Sequence, residues 1–257
     1  MPGQQEKVLK KLLISLANKY ETASFCDSDP SQFLRRYKEA ESAEAASFIA
    51  AMLAFGNRTQ FIPKIRQILQ TADQTSGNIK NWLTTRAYKK NFPTGSQKFY
   101  RFYSYDDLQI FFDELSALIN KSGSLGQYFK SEWEKVSDNS DKPHLSDLIS
   151  QSFPKSSIVP KGRTSANKRI HMFLRWMVRQ NSPVDLGLWF WYPAASLIIP
   201  LDTHVMQEAQ KLGLLPEKST ASRKTAILLT KKMEEIFPGD PTRADYALFG
   251  LGVDENN

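Results

Sequence analysis

The sequence predicts an all-α protein built of many helices. Apolar residues recur at i, i+3, i+4 and i+7 through most of the chain. Glycine and proline are sparse, at 12 and 13 of 257 residues. No convincing series of alternating apolar and polar residues marks out strands. A chain of this length forms one large domain or two small ones and buries a substantial core without staples.

Taken in order, residues 5–20 carry Val8, Leu9, Leu12, Leu13, Leu16 and Ala17 as an apolar stripe on an otherwise basic helix. Asp27 to Ser31 is a turn and capping cluster ahead of a short helix with Phe33, Leu34 and Tyr37. Ser42 opens the most apolar helix, whose Ala45, Ala46, Phe48, Ile49, Met52, Leu53 and Phe55 leave almost no polar face before Gly56 stops it. Such a helix is central and buried. The polar cluster Asn57 to Gln60 is either a turn or a ligand contact, and Ile62 to Ala72 resumes an amphipathic pattern with Pro63 in a first turn.

Between Asn91 and Leu118, Phe99, Tyr100, Phe102, Tyr103 and Tyr105 interleave with Lys98 and Arg101. Rings among bases can stack nucleobases and pair phosphates, and edge-on packing in a core uses the same residues. Ser104 or Asp106 caps the helix that follows, with Leu108, Phe111, Phe112, Leu115 and Leu118 on its buried face. A turn at 121–125 precedes a short helix over Tyr128–Trp133. The polar, aperiodic run 137–142 reads as a linker, separating an N-terminal helical region, 1–136, from a second helical region, 143–257.

In the second region, a short helix over His144–Phe153 leads into the basic turn Pro154–Arg163. Thr164 or Ser165 then caps a helix over Ala166–Gln180, apolar at Ile170, Phe173, Leu174, Met177 and Val178. This helix is expected to expose Lys168, Arg169, Arg175 and Arg179, with Lys155, Lys161, Gly162 and Arg163 beside the unpaired amides of its first turn. Dipole and free donors together favour an anion there. The crossing segment 181–193 packs Trp189, Phe190, Trp191 and Tyr192 into four successive positions. It delivers the chain to an apolar run at Leu197–Ile199, and Asp202 then stands where a helix begins, with Val205, Met206, Ala209 and Leu212 following before Gly213 closes it. A Lys-rich helix over Arg223–Phe237 and a buried one within 241–252 complete the chain.

Composition narrows the function classes. Cys26 is the single cysteine, which excludes an internal disulfide, a Cys-rich zinc site and a four-thiolate iron–sulfur cluster, and fits a reducing cytoplasm. The apolar stretch Leu12–Ala17 is too short and interrupted for a signal peptide, and no run reaches membrane-spanning length. A net charge of +7 and a pI near 9.3 favour a polyanionic partner. Phosphate-binding loops, a serine elbow and helices with paired His and Glu are absent. No metal or cofactor is expected.

A helix, a basic hairpin, a helix with Lys168 in its first turn, a crossing segment and LDTH at the next helix start resemble the helix-hairpin-helix DNA glycosylases over about Leu145–Leu215. The phrases NKRIHMFLRWMVR, VDLGLW, IIPLDTHV and DYALFGLGV are similar to those of a bacterial family of uncharacterised proteins of this length, across nearly the whole chain. The glycosylase resemblance implies a DNA-glycosylase-like helical fold and a double-stranded DNA partner carrying a damaged base. It further implies Lys168 as the amine nucleophile and Asp202 as the essential carboxylate. Lys161, Gly162, Arg163, Thr164, Ser165 and Arg169 would hold the DNA backbone, and Trp189, Trp191 and His204 are candidates for the base pocket. The 34 positions from Lys168 to Asp202 match the stretched connection of an archaeal branch that removes 8-oxoguanine. Gly162 stands alone where those hairpins carry two glycines. The expected activity is base excision, with or without strand cleavage by a lyase step. The alternatives from the residues are a noncatalytic nucleic-acid-binding module and a helical protein-interaction scaffold. Protein partners are not indicated.

Overall fold

The computed structural model describes residues 2–136 and 143–254. Those residues are mostly helical, as the periodicity predicts, with two short strands. The run expected to be a linker, 137–142, lies outside the described residues. The chain divides into two compact units, one of residues 28–161 and one in which residues 1–27 join 162–257. The division thus falls at 27/28 and 161/162. The first helix, α1 (Pro2–Tyr20), belongs with the carboxyl-terminal residues, and 143–161 belongs with the unit that precedes it in sequence.

The unit of residues 28–161 is arranged around α2 (Ala40–Leu53), buried at every position from Ser42 to Leu53. The helix carries no stripe because it has no solvent face to spare. Asn57 caps α3 (Arg58–Ser76), its side chain accepting the Thr59 amide at 2.9 Å. Pro63 falls at the sixth residue of α3 rather than in its first turn, because this cap starts the helix earlier than the apolar pattern indicates. Two shorter helices, α4 (Ile79–Thr84) and α5 (Tyr88–Asn91), lead to the antiparallel hairpin of β1 (Lys98–Tyr100) and β2 (Tyr103–Ser104).

Ser104 and Asp107 form a reciprocal capping box at the start of α6 (Tyr105–Ser122). The helix α7 (Leu125–Val136) is tied to α2 through the Glu44 carboxylate, which accepts the Gly126 amide at 2.9 Å. His144 caps α8 (Leu145–Gln151). Phe48, Phe111 and Phe153 pack ring to ring at the centre, and Trp82, Tyr88, Phe92 and Phe112 form a second aromatic cluster. Of the aromatic and basic stretch, Phe99, Tyr100 and Tyr103 are buried and serve the core, and Phe102 remains in solvent.

The other unit holds α1, α9 (Lys168–Val178), α10 (Thr203–Lys211), α11 (Arg223–Ile236) and α12 (Ala244–Asp254). Its core gathers Leu13, Leu16 and Ala17 from α1 with Ile199, Val205, Leu229, Met233 and Leu248. The buried stripe of α1 is narrower than its sequence indicates, since Val8 and Leu12 are exposed. α1 packs along α12 so closely that a Cβ at Gly250 would overlap the Tyr20 ring. The crossing segment 181–193 forms no helix or strand, and no helix of the described residues is long and apolar enough to cross a membrane.

Candidate active site

Two helix starts in the unit of residues 1–27 and 162–257 bring the sequence-predicted pair together. Lys168 is the first residue of α9, and Asp202 is the cap residue of α10. The Lys168 ammonium lies 3.0 Å from Asp202 Oδ2, and both side chains are part-exposed. Asp202 Oδ1 meanwhile accepts the Val205 amide at 2.9 Å. One carboxylate thus closes its own helix with one oxygen and meets the lysine with the other. Burial pushes the Asp202 carboxyl up, but the Lys168 charge and the Val205 amide outweigh it and hold it below its ordinary value. His204, exposed in the first turn of α10, adds a smaller pull in the same direction.

The loop before α9 departs from its expected form. Neither Thr164 nor Ser165 caps the helix. The cap residue is Asn167, in the left-handed conformation with φ 44°, and its side chain makes no capping bond. Its Nδ2 instead donates to the Gly162 carbonyl at 3.0 Å, drawing the loop into a closed turn. Ser165 forms an isolated antiparallel bridge with Ser222, and the Arg223 amide donates to the Thr164 carbonyl at 2.8 Å. The loop is therefore seated on the amino end of α11. Gly162, Arg163, Thr164 and Ser165 are all exposed there, and Arg169 is half-buried. Gly162 has φ 102°, a conformation that favours glycine at this turn. Lys161 belongs to the other unit, where its ammonium donates to the Ser150 and Phe153 carbonyls behind α8 and burial pushes its pKa down.

Arg175 and Arg179 overturn an expectation of the sequence. Both are buried, and neither contributes to an exposed basic face. Arg179 pairs with Glu21 at 2.8 Å, with Asp240 at 2.8 Å and with Asp185; Arg175 pairs with Asp245 and lies 3.4 Å from Asp185. The Tyr246 hydroxyl donates to Asp185 at 2.9 Å, and the Arg175 guanidinium lies 4.3 Å over the Tyr246 ring. Burial opposes the charge of both guanidiniums, but these partners hold each more firmly protonated than usual. Burial likewise raises the Glu21 carboxyl, and Arg179 and Arg243 more than reverse it. Periodicity could not find this network, because its acids come from three separate segments. The signal available was the spacing of Arg175 and Arg179 on one helix face beside aspartates in VDLGLW and GDPTRAD.

Of the aromatic candidates, Trp189 packs against α9 and Trp191 stacks on Trp189. Trp189 is buried against the Phe173 ring at 5.2 Å, and its amide donates to the Met177 carbonyl. Met177 is nine residues along α9 from Lys168, about 14 Å on the helix rise. Trp191 is half-exposed and stacks on Trp189 at 5.6 Å. A groove beside α1 is lined by Lys7, Lys10, Leu212, Leu214 and Lys232 and includes neither Lys168 nor Asp202. Among the described residues, no group of three or more His, Cys, Asp and Glu side chains is placed to hold a metal ion.

A family model described as a protein of unknown function, DUF2400, matches residues 29–254. The chain belongs to the DUF2400 family. The match takes in both Lys168 and Asp202 and all of the buried arginine network except Glu21. Searches of curated proteins and of solved structures returned no match.

Proposed function

We propose that this DUF2400 protein is a DNA-repair glycosylase that excises a damaged purine, with Lys168 as nucleophile and Asp202 as its carboxylate partner. The observation that supports the reading is the 3.0 Å approach of the Lys168 amine to Asp202 Oδ2 across 34 positions of sequence. The Lys168 ammonium first gives one proton to solvent; the free amine then attacks the sugar C1′, forming a C–N bond as the bond to the base breaks, and the departing base takes the second proton that the nitrogen gives up. Ring opening then leaves a Schiff base, from which a lyase step can proceed. Asp202, held ionised, offsets the positive charge that develops on the sugar. The exposed backbone and side chains of Gly162–Ser165, with Arg169, supply phosphate contacts that carry no sequence preference.

Borohydride trapping on duplexes carrying 8-oxoguanine or an abasic site tests the chemistry. The wild type is expected to give a covalent adduct and Lys168→Gln none; an adduct of equal yield from Lys168→Gln removes the nucleophile assignment. A second reading, a noncatalytic DNA-binding module, draws on the same ion pair, because an ammonium paired at rest also serves as a clip between α9 and α10. It predicts salt-sensitive DNA binding that Asp202→Asn leaves intact.

A further inference from the structure

The turn of the β1–β2 hairpin is built against its own backbone preferences. Tyr100 pairs with Tyr103, which leaves Arg101 and Phe102 as a two-residue turn. Arg101 has φ 51°, a left-handed position that tight hairpins ordinarily give to glycine or asparagine. Phe102 follows it, a residue 58% exposed. A glycine followed by a polar residue would satisfy the turn better on both counts, and strain of this kind is found where the structure around it over-determines the conformation.

Here the surrounding structure does so. The Tyr100 hydroxyl donates to the Phe55 carbonyl, fixing the hairpin to the end of α2. The Arg101 side chain crosses Gly56, where a Cβ would overlap its Nη1, and its guanidinium lies 5.7 Å over the Phe55 ring. The Phe102 ring contacts Phe55 at 5.3 Å and Tyr103 at 4.5 Å, and its carbonyl accepts the Lys98 ammonium at 2.8 Å. The exposed ring is held in place, with two cations beside it. Of the neighbouring carboxylates, Asp106 accepts the Gly95 amide, and Asp107 is held by Ser104 and Ser157 and also feels the Lys98 charge.

We propose that this hairpin tip is a DNA-contact element, with Phe102 stacking on an unpaired nucleobase and Arg101 and Lys98 pairing with the phosphates on either side. The inference rests on the reading of the protein as DNA-binding and adds a contact on the unit of residues 28–161. The chemistry of the patch selects the partner. In this unit, Phe102 and Ile110 are the large apolar side chains exposed among the described residues. A single ring flanked by cations is too small for a protein interface, which buries on the order of 800 Å² per partner, yet it matches one base and its phosphates. Every base has a stacking face, so the contact carries no sequence preference.

Fluorescence anisotropy with the full chain tests it on three oligonucleotides: single-stranded oligo-dT, a duplex with one unpaired base, and a fully paired duplex. Phe102→Ala is expected to weaken the first two by about tenfold or more while leaving the slope of affinity against salt unchanged. Arg101→Ala should reduce that slope by about one. Phe102→Trp should retain affinity and show quenched indole emission on binding. The melting temperature of each variant checks folding, which an exposed ring is expected to spare. Wild-type affinity in Phe102→Ala for all three oligonucleotides overturns the proposal, as does a wild type that binds none of them. The borohydride adduct separates this outcome from the catalytic reading. Loss of the Phe102 effect with the Lys168 adduct intact removes only the hairpin contact, and the reverse pattern removes only the nucleophile.

Discussion

The two ends of α9 hold charge in opposite ways. At its start, Lys168 meets one carboxylate at a part-exposed site, and that carboxylate has a second duty as a helix cap. Toward its end, Arg175 and Arg179 are buried and held by Asp185, Asp240, Asp245 and Glu21. Water screens the first pair, so it contributes little to stability and its chemistry stays accessible. The second group is desolvated, so each member depends on the others, and removing one strands a buried charge. A side chain that has to reach a substrate needs the accessibility of the first site. The second kind locks α9 to α1 and α12 and keeps Lys168 at a fixed place.

Breaking the buried end should have the largest effect. Asp185→Ala removes the carboxylate that meets both arginines and the Tyr246 hydroxyl and should destabilise the protein by about 3–5 kcal/mol. Chemical denaturation would show it as a lowered midpoint with an unchanged slope. A loss under about 1 kcal/mol would mean that the arginines find other partners or water.

The acid limb of stability should follow from the same end. The Glu21 carboxyl is depressed in the folded state from its ordinary value of 4.5, so the unfolded chain binds more protons as the pH falls. Its contribution is complete above about pH 5 and is lost as the pH drops through the folded value. Asp202, depressed from 3.8, adds to the same loss at lower pH. Melting temperatures from pH 7 to pH 3 should fall steeply for the wild type and less steeply for Glu21→Gln, which starts from a lower stability at neutral pH.

The smallest stability effects belong to the exposed pair, and there the two duties of Asp202 come apart. Asp202→Ala loses the cap and the ion pair together and should cost about 1 kcal/mol. Asp202→Asn keeps the cap and should cost only a few tenths. Lys168→Gln should lie within about 0.5 kcal/mol of the wild type. In contrast, Asp202→Asn and Lys168→Gln should both abolish or sharply reduce base excision. Full excision activity in Asp202→Asn would leave the carboxylate as a cap alone.

The helices were largely legible because burial and turn chemistry are written locally. The buried α2, the cap at Asp202, the stop at Gly213 and the helix over Arg223–Ile236 all follow from residues within a few positions of one another. The aromatic stretch at 98–105 was harder, because a two-stranded hairpin this short has too few residues to show alternation. The start of α9 was missed for another reason. Two good capping residues precede it, but the loop is drawn onto α11 through Ser165 and Thr164, and the cap position falls to Asn167.

By itself the sequence determined the helical class and most of the helix ends, since each depends on periodicity or on capping chemistry; Lys168 and Asp202 were paired as candidates through the resemblance to the helix-hairpin-helix glycosylases. Only the tertiary structure decided which charges face water. Arg175 and Arg179 read as a solvated basic face until Glu21, Asp185, Asp240 and Asp245, drawn from three other segments, close over them. A pattern within one helix reports which residues share a face. What covers that face is set by the packing of distant segments, and the burial and ionisation of a side chain depend on that cover.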